Sequence, residues 1–150
     1  MARVERSRTI DATGETIWGV VSDPHHLPRW WPRVTRVEDV NSDGWTEVLQ
    51  SERGRPVRAD FTLLEETPPN GRAWAQELSE TPFERILAKA ETSIALEGDG
   101  HRTRVTLSAL RKPRGLSRFG GFMLKRAIGG QLDEALDGLE RICAREVAQA

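Results

Sequence analysis

The sequence predicts an α+β fold in which one antiparallel sheet packs against one long C-terminal helix. Turn-forming residues recur at short intervals between positions 41 and 100, and apolar residues alternate along the segments between those turns. After Gly115 the apolar spacing becomes helical. The short connections exclude parallel pairing, because a crossover between parallel strands needs about a dozen residues or more.

Length and composition predict a single soluble domain over residues 1–150. The chain has 37% hydrophobic and 30% charged residues, which is ordinary for a globular protein, and its formal net charge is −1. That charge gives no general attraction to nucleic acid, so a nucleic-acid partner is not expected. The sequence shows neither a signal-peptide pattern nor an apolar run that could span a bilayer, which predicts a cytoplasmic protein.

Two short helices are predicted over about residues 14–32, directly after the first strand. Thr13 is the expected N-cap of the first helix, since apolar residues follow it at helical spacing. Asp23 and Pro24 form a second start signal, a capping carboxylate followed by proline at the first helical position. Pro28 and Pro32 disfavour continuation, so the second helix must be short.

Seven strands are predicted, the third to seventh following one another with short turns. Their ranges are Val4–Ile10, Val34–Val40, Trp45–Glu52, Val57–Glu66, Arg72–Ser79, Glu84–Glu97 and Arg102–Arg111. The second range has apolar residues spaced by three and would also fit a helix, but its β-branched residues and the turn at 41–44 favour a strand. The last two alternate most clearly. One face is predicted to hold Ile86, Ala88, Ala90, Thr92, Ile94 and Leu96, and another Thr103, Val105, Leu107 and Ala109.

A long amphipathic helix is predicted for the C-terminal part, with Ser117 as its N-cap. Its apolar stripe comprises Phe119, Met123, Ala127, Ile128, Gln131, Leu132, Ala135, Leu136, Leu139, Ile142 and Cys143. The pairs Gly120-Gly121 and Gly129-Gly130 interrupt it at about 1 kcal/mol per glycine relative to alanine. That cost predicts either a close approach of another group or a bend.

Most motifs of enzyme chemistry are absent from the sequence. His25, His26 and His101 do not lie at metal-ligand spacing, so neither a metal nor a cofactor is predicted. Cys143 lies on the apolar stripe, where a buried, inert thiol is expected. The sequence contains no nucleophile elbow and no phosphate-binding loop, and Gly98-Asp99-Gly100 is interpreted as a hairpin turn.

Several segments resemble the helix-grip fold, which is shared by START-related lipid-binding proteins, the birch-pollen-allergen group and bacterial polyketide cyclase/dehydrase-like proteins. The resemblance is strongest at residues 10–18 (IDATGETIW), Asp23-Pro24, residues 27–34 (LPRWWPRV) and residues 100–106 (GHRTRVT). It extends over essentially the whole chain. It implies a curved sheet of about seven strands around the C-terminal helix, and it says little about function because these motifs are structural.

The resemblance also implies a cavity between sheet and helix that takes a small hydrophobic ligand, such as a lipid, a quinone or a polyketide-like molecule. We expect binding or transport of that ligand as the function. The alternative is a polyketide cyclase or dehydratase that uses acid–base groups in the same cavity. The predicted ligand-binding residues are Trp31, Trp45, Phe61, Trp74, Gln76, Met123, Ala127 and Gln131. For each of them ordinary core packing is the competing interpretation.

Two neighbouring tryptophans, Trp30 and Trp31, are predicted to have different roles. Adjacent residues on a helix point about 100° apart, so both cannot face one core. Trp30 lies three residues after Leu27 and is assigned to the scaffold. Trp31 is assigned to the mouth of the cavity, with the exchanged assignment as the alternative.

For the enzyme alternative, the polar strand residues Glu47, Arg58, Gln76 and Glu77 are candidates to project into the cavity. Strand register is not determined by the sequence, and a slip of one residue reverses every face. For the charged residues among them, a solvated position on the outer face is expected.

A basic segment, Arg111–Arg126, contains six cations and no acid, interleaved with apolar residues. Three interpretations remain open. The segment is a docking surface for an anionic membrane or an acidic protein, a lid over a pocket for an anionic ligand, or a solvated loop balanced by acids further along the helix.

Overall fold

A seven-stranded antiparallel sheet and one long helix form the body of the protein. The structure is a computed structural model that describes residues 1–115 and 118–149, so the predicted N-cap Ser117 lies outside the described residues. The strands are β1 (Ala2–Ile10), β2 (Val34–Glu38), β3 (Gly44–Gln50), β4 (Pro56–Thr67), β5 (Gly71–Gln76), β6 (Leu87–Gly98) and β7 (Thr103–Pro113). They are hydrogen-bonded in the order β1-β7-β6-β5-β4-β3-β2. The predicted α+β class and strand number are confirmed.

Three α-helices accompany the sheet: α1 (Gly14–Val21), α2 (Leu27–Trp30) and α3 (Arg118–Gln149). As predicted, the Thr13 hydroxyl caps α1 by accepting a hydrogen bond from the Thr16 N–H at 3.1 Å. The Asp23 carboxylate accepts from the His25 N–H at 3.0 Å and starts a 3-10 turn, Pro24–His26, that leads directly into α2. The two prolines that bracket Trp30 and Trp31 keep α2 to four residues.

The two edge strands of the sheet, β1 and β2, are connected along the chain by the short helices. β2 to β7 form a meander, and β1 adds to the outer edge of β7 with Ala2 opposite Arg111 and Ile10 opposite Thr103. The chain from β1 to β2, at the opposite edge, therefore passes through α1 and α2. This connection closes one end of the layer between the sheet and α3.

The core lies between α3 and the part of the sheet formed by β1, β6 and β7. Leu132, Leu136 and Leu139 of α3 are at most 1% exposed, and Val105 and Leu107 of β7 are completely buried. Each such side chain contributes about 1.5–3 kcal/mol by leaving water. The C-terminal half of α3 is thus the element that holds the two layers together.

The predicted apolar stripe of α3 is confirmed from Ile128 to Cys143 and is wrong at its start. Met123 is 48% exposed and Ala127 is also exposed, while the side chain of Phe119 lies outside the described residues. A groove, rather than packed strand residues, borders this part of the helix. Periodicity gives the face of a helix but not the point along it where its packing partner ends.

The junction between β5 and β6 differs from the prediction. β5 ends at Gln76, three residues before the predicted end. A 3-10 turn at Pro82–Arg85 precedes β6, which therefore begins at Leu87, three residues after the predicted start. Ile86 and Ala88 are exposed, contrary to the predicted alternation, whereas Ala90 to Leu96 follow it. Ile86 ends the 3-10 turn and lies outside β6, and a register irregularity between Leu87 and Lys89 accounts for Ala88, because a bulge breaks the two-residue period.

Close approach explains one of the four predicted helix glycines. A Cβ at Gly129 would lie 2.4 Å from the Arg6 guanidinium, whereas Gly121 and Gly130 have no atom within 4 Å of that position. A close approach to backbone atoms occurs at Gly138, which was not predicted. Its Cβ would lie 2.5 Å from the carbonyl oxygen of Trp30, so α2 rests directly on the backbone of α3.

Candidate ligand-binding site

A small, partly enclosed cavity, here called the chamber, lies between the sheet and α3 and has a volume of about 80 Å³. This is space for on the order of five waters. Every strand from β3 to β7 contributes to its wall, together with α2, α3 and the residue that follows α2. The wall residues are Leu27, Trp31, Glu47, Leu49, Phe61, Trp74, Gln76, Thr92, Arg111 and Gln131.

The apolar side of the chamber is aromatic. Trp31 packs edge-on against Trp74, with 6.3 Å between ring centroids, and behind them Trp45 stacks on Phe61 at 5.8 Å. The Arg72 guanidinium, which does not line the chamber, lies 5.4 Å from the Trp45 centroid and 5.9 Å from the Trp74 centroid and helps to hold both rings in place. The rings of Trp31, Trp74 and Phe61 give the chamber an aromatic wall, which suits a ligand with an apolar ring because aromatic groups pack well edge to face.

A buried carboxyl group, Glu47, faces the chamber. It is 4% exposed, and its Oε2 accepts a hydrogen bond from Trp45 Nε1 at 3.0 Å. Burial raises the pKa of Glu47 to about 7, and the hydrogen bond from Trp45 offsets only part of this effect. The group therefore changes protonation state close to neutral pH.

A guanidinium group, Arg111, forms another part of the wall. Its Nη1 donates to the carbonyl oxygens of Glu91 and Leu110, at 2.6 and 3.0 Å, and its Nη2 donates to the Thr92 hydroxyl at 3.2 Å. These acceptors are neutral, and no carboxylate among the described side chains forms an ion pair with Arg111. Burial lowers the pKa of this guanidinium from its usual range, although an arginine remains charged at neutral pH.

Two amide side chains complete the polar part of the wall. Nε2 of Gln76 is buried and has no hydrogen-bond partner among the described residues. Gln131, which projects from α3 on the opposite side, likewise has no described hydrogen bond. An unpaired buried donor costs about 1–3 kcal/mol, so a ligand oxygen near Gln76 would recover that energy.

A wider open groove of about 450 Å³ lies next to the chamber, along the N-terminal part of α3. Arg111 and Gln131 line both spaces and separate them. The wall of the groove consists of Pro32, Arg33, Leu87, Arg111, Leu124, Arg126, Ala127, Ile128, Gly130, Gln131 and Glu134. The groove leads from solvent to the side chains that close the chamber.

The structure brings most of the predicted ligand-binding residues together. The chamber is lined by Trp31, Phe61, Trp74, Gln76 and Gln131, and the groove by Ala127 and Gln131. Trp45 lies one layer behind the chamber, against Phe61 and Trp74. Met123 lines neither space.

The adjacent tryptophans point to different surroundings. Trp30 is 3% exposed, lies outside the chamber wall and packs edge-on against Trp31 at 5.4 Å. Trp31 lies on the wall itself. The assignment of Trp30 to the scaffold and of Trp31 to the mouth of the cavity stays a prediction.

The polar strand candidates separate into two groups. Arg58 is exposed and forms an ion pair with Glu38, and Glu77 is exposed and accepts a hydrogen bond from the Thr62 hydroxyl. For both, the expected outer-face position is correct. For Glu47 that expectation was wrong.

Two wall residues, Glu47 and Arg111, could have been found from strand alternation alone. Glu47 lies two residues from both Trp45 and Leu49, and these three share the inner face of β3. Arg111 continues the buried series from Thr103 to Ala109 by one more step of two. In both cases side-chain polarity suggested solvent, whereas the spacing indicated the interior.

The basic segment Arg111–Arg126 is not one continuous surface. Arg111 points inward, whereas Lys112, Arg114, Lys125 and Arg126 are exposed. Phe122 is 60% exposed beside these cations. Docking of a membrane or a protein on the exposed part stays a prediction.

Other functional groups were also located. Cys143 is buried, as expected. Among the side chains that the structure describes, no three His, Cys, Asp or Glu residues converge in a metal-binding arrangement. No helix in the described part of the chain is long and apolar enough to cross a membrane.

Residues 1–144 match the sequence model of a family described as polyketide cyclase / dehydrase and lipid transport. No curated protein matches the sequence significantly.

Solved structures share the fold over nearly the whole chain. The di-domain ARO/CYC BexL from the BE-7585A biosynthetic pathway has 19% identity and a TM-score of 0.81; the match covers 100% of this chain but 48% of BexL. A START superfamily protein from Mycobacterium smegmatis has 16% identity and a TM-score of 0.76, covering 95% and 97% of the two chains. Zhui aromatase/cyclase from Streptomyces sp. R1128 has 18% identity and a TM-score of 0.76, covering 97% and 95%. The predicted helix-grip fold is confirmed.

Proposed function

Because the chain belongs to the polyketide cyclase/dehydrase and lipid transport family, we propose that it binds a small amphipathic molecule in the chamber and the adjoining groove. The single observation that carries this proposal is the partly enclosed chamber between the sheet and α3, whose wall combines aromatic rings with polar groups that lack full partners. Ligand sites are commonly apolar with a few convergent polar groups, as here.

The size of the two spaces supports a ligand that extends through both. The chamber alone, at about 80 Å³, holds only a ring-sized group, whereas the groove adds about 450 Å³. We propose that the apolar end of the ligand contacts Trp31, Phe61 and Trp74 and that its remainder lies beside Ala127 and Gln131. A simple lipid carrier would need fewer polar wall groups, so a polyketide-like or quinone-like molecule fits better than a plain acyl chain.

The experiment that tests this function combines native mass spectrometry of the gently purified protein with titration of a planar fluorescent apolar probe. We expect a bound small molecule or, after its extraction, saturable probe binding at one site. Trp31→Ala should weaken probe binding by about tenfold, because it removes a ring that the probe contacts, and an aromatic pair contributes about 0.5–1.5 kcal/mol beyond the area it buries.

Trp30→Ala is the matched control, because this residue is equally aromatic and lies outside the chamber wall. It should destabilise the protein at least as much as Trp31→Ala, since Trp30 is 3% exposed and Trp31 is 9% exposed, and it should leave probe binding in the chamber unchanged. Equal probe binding by wild type and Trp31→Ala would contradict the proposed site.

Acid–base catalysis in the same chamber is a second candidate function, and Glu47 is the observation that favours it. A carboxyl group whose pKa is raised to about 7 can both accept and donate a proton near neutral pH. Arg111 and Gln76 supply donors across the same space.

The two functions are separated by Glu47→Gln, which keeps the size of the side chain and an acceptor for Trp45 Nε1. If the protein is an enzyme, this variant should lower turnover of a cyclisable polyketide-like substrate by about 100-fold or more while probe binding persists. Unchanged turnover would exclude Glu47 as the acid–base group.

A further inference from the structure

The chamber wall contains one acidic and one basic side chain that do not pair with each other. Two charged residues face this space, Glu47 from β3 and Arg111 from β7, and the other polar wall groups, Gln76, Thr92 and Gln131, do not titrate near neutral pH. Glu47 and Arg111 form no ion pair with each other. Burial is the cause of the lowered pKa of Arg111 and the main cause of the raised pKa of Glu47. Neither residue shifts the pKa of the other.

The contacts of Arg111 fix its orientation without compensating its charge. Its three hydrogen bonds go to two backbone carbonyls and one hydroxyl, all neutral. An arginine has five N–H donors, so two remain for another acceptor. A partly buried cation without an anionic partner is unfavourable, and such groups are normally paired.

The position of Arg111 makes it accessible to a ligand. It lines both the chamber and the groove, and the groove wall carries two further arginines, Arg33 and Arg126, against a single acid, Glu134. Arg33 lies 3.6 Å from Glu52, whereas Arg126 has no described carboxylate partner. The entrance to the chamber is therefore electropositive.

We propose that Arg111 binds an acidic group of the ligand, so that the cavity takes an amphipathic organic anion with a planar apolar body. The body lies against Trp31 and Trp74, and the acidic group lies at the boundary between chamber and groove. The unpaired Nε2 of Gln76 donates to a neutral oxygen further inside. This inference rests on the proposed function, because it names the chemical class of ligand for the same cavity.

The test compares two probes of nearly equal shape, 2-naphthoate and 2-naphthamide, by isothermal titration calorimetry on the full chain. A charge-assisted hydrogen bond is stronger than a neutral one, so wild-type protein should bind the naphthoate about tenfold or more tightly than the naphthamide. Arg111→Gln should reduce this ratio to near one and leave naphthamide binding within about threefold of wild type.

Lys112→Gln is the matched control, because Lys112 is the next residue along β7, is exposed and lines neither space. This variant should keep the wild-type ratio of naphthoate to naphthamide affinity. If the preference came from the overall charge of the protein, loss of the Lys112 charge would lower that ratio as well. Arg111→Lys should keep part of the preference, since it retains the charge but not the forked geometry.

Protonation of Glu47 gives an independent readout. Between pH 6 and pH 8 this carboxyl group loses its proton, which places a negative charge in the chamber. Naphthoate affinity should therefore fall several-fold over that interval, naphthamide affinity should not, and Glu47→Gln should abolish the difference. A flat naphthoate profile in wild type would overturn the placement of the anion.

The outcomes also separate this inference from the function on which it rests. Equal binding of the two probes by wild type, which requires no variant, would overturn the anionic class of ligand and leave the cavity as a binding site. Binding of neither probe would overturn both.

Discussion

Glu47 makes the stability of the protein depend on pH through a single side chain. Its pKa is raised from an ordinary 4.5 to about 7 in the folded state, so the folded protein binds more protons than the unfolded chain between these values. Stability is therefore greatest below pH 4.5 as far as this group is concerned. It falls as pH rises towards 7, by up to about 1.4 kcal/mol per pH unit, and the loss is complete above that value.

We expect wild-type protein to lose roughly 2–3 kcal/mol more than Glu47→Gln between pH 5 and pH 8. Urea denaturation of both proteins at the two pH values measures this difference. Carboxyl groups with lowered pKa, such as Asp23 and Glu38, act in the opposite direction but equally in both proteins. Parallel pH profiles for the two proteins would contradict the burial of the Glu47 carboxyl group without a cationic partner.

At the scale of elements, the contact between α2 and α3 positions the chamber wall. Gly138 of α3 lies against the backbone of Trp30, and Trp31 follows immediately. Any side chain at position 138 must push α2 away, because backbone atoms cannot yield as the end of a flexible side chain can.

Gly138→Ala should therefore destabilise the protein by about 1–3 kcal/mol and weaken probe binding by displacing Trp31. Gly130→Ala is the matched control in the same helix. No atom lies within 4 Å of its added Cβ, so it should stabilise the protein by about 1 kcal/mol. Denaturant midpoints of the two variants check both signs, and a stabilising Gly138→Ala would refute the close contact.

At the scale of the whole molecule, stability should be unequal across the sheet. β6 and β7 are flanked on both sides and carry the buried residues that face α3, whereas β2 is a five-residue edge strand with a register irregularity between Val34 and Arg36. Edge segments with few buried contacts open locally, while central strands exchange only on global unfolding.

Native-state hydrogen exchange tests this inequality. Amides of β7 should exchange at the rate set by global unfolding, and those of β2 at least about tenfold faster. Low denaturant should accelerate β7 while leaving β2 almost unchanged. Equal protection of both strands would show that the sheet opens as one unit.

Local chemistry made much of this molecule predictable from its sequence. The cap at Thr13, the prolines around Trp30 and Trp31, and the turns between strands all act within a few residues, and the fold follows from them. The errors arose where a distant partner decides the outcome. Glu47 was assigned to the surface because carboxylates usually lie there, yet its neighbours Trp45 and Leu49 placed it inside.

Arg111 shows why the site was harder to predict than the fold. The sequence presents it as the first of six cations, and this charge outweighed the two-residue spacing from Ala109 that places it on the inner face of β7. Met123 was misplaced for a related reason, since no local pattern reveals where the sheet stops supporting α3.

The division of α3 into a packed half and a half beside the groove has an evolutionary consequence. Substitutions between Ile128 and Cys143 face a closely packed core, so selection for folding should hold that half nearly constant among descendants of a common ancestor. Substitutions at exposed groove positions such as Arg126 and Ala127 cost little stability and change what a ligand meets on entry. Descendants can thus change ligand specificity by substitutions in the N-terminal half of α3, while the C-terminal half preserves the fold.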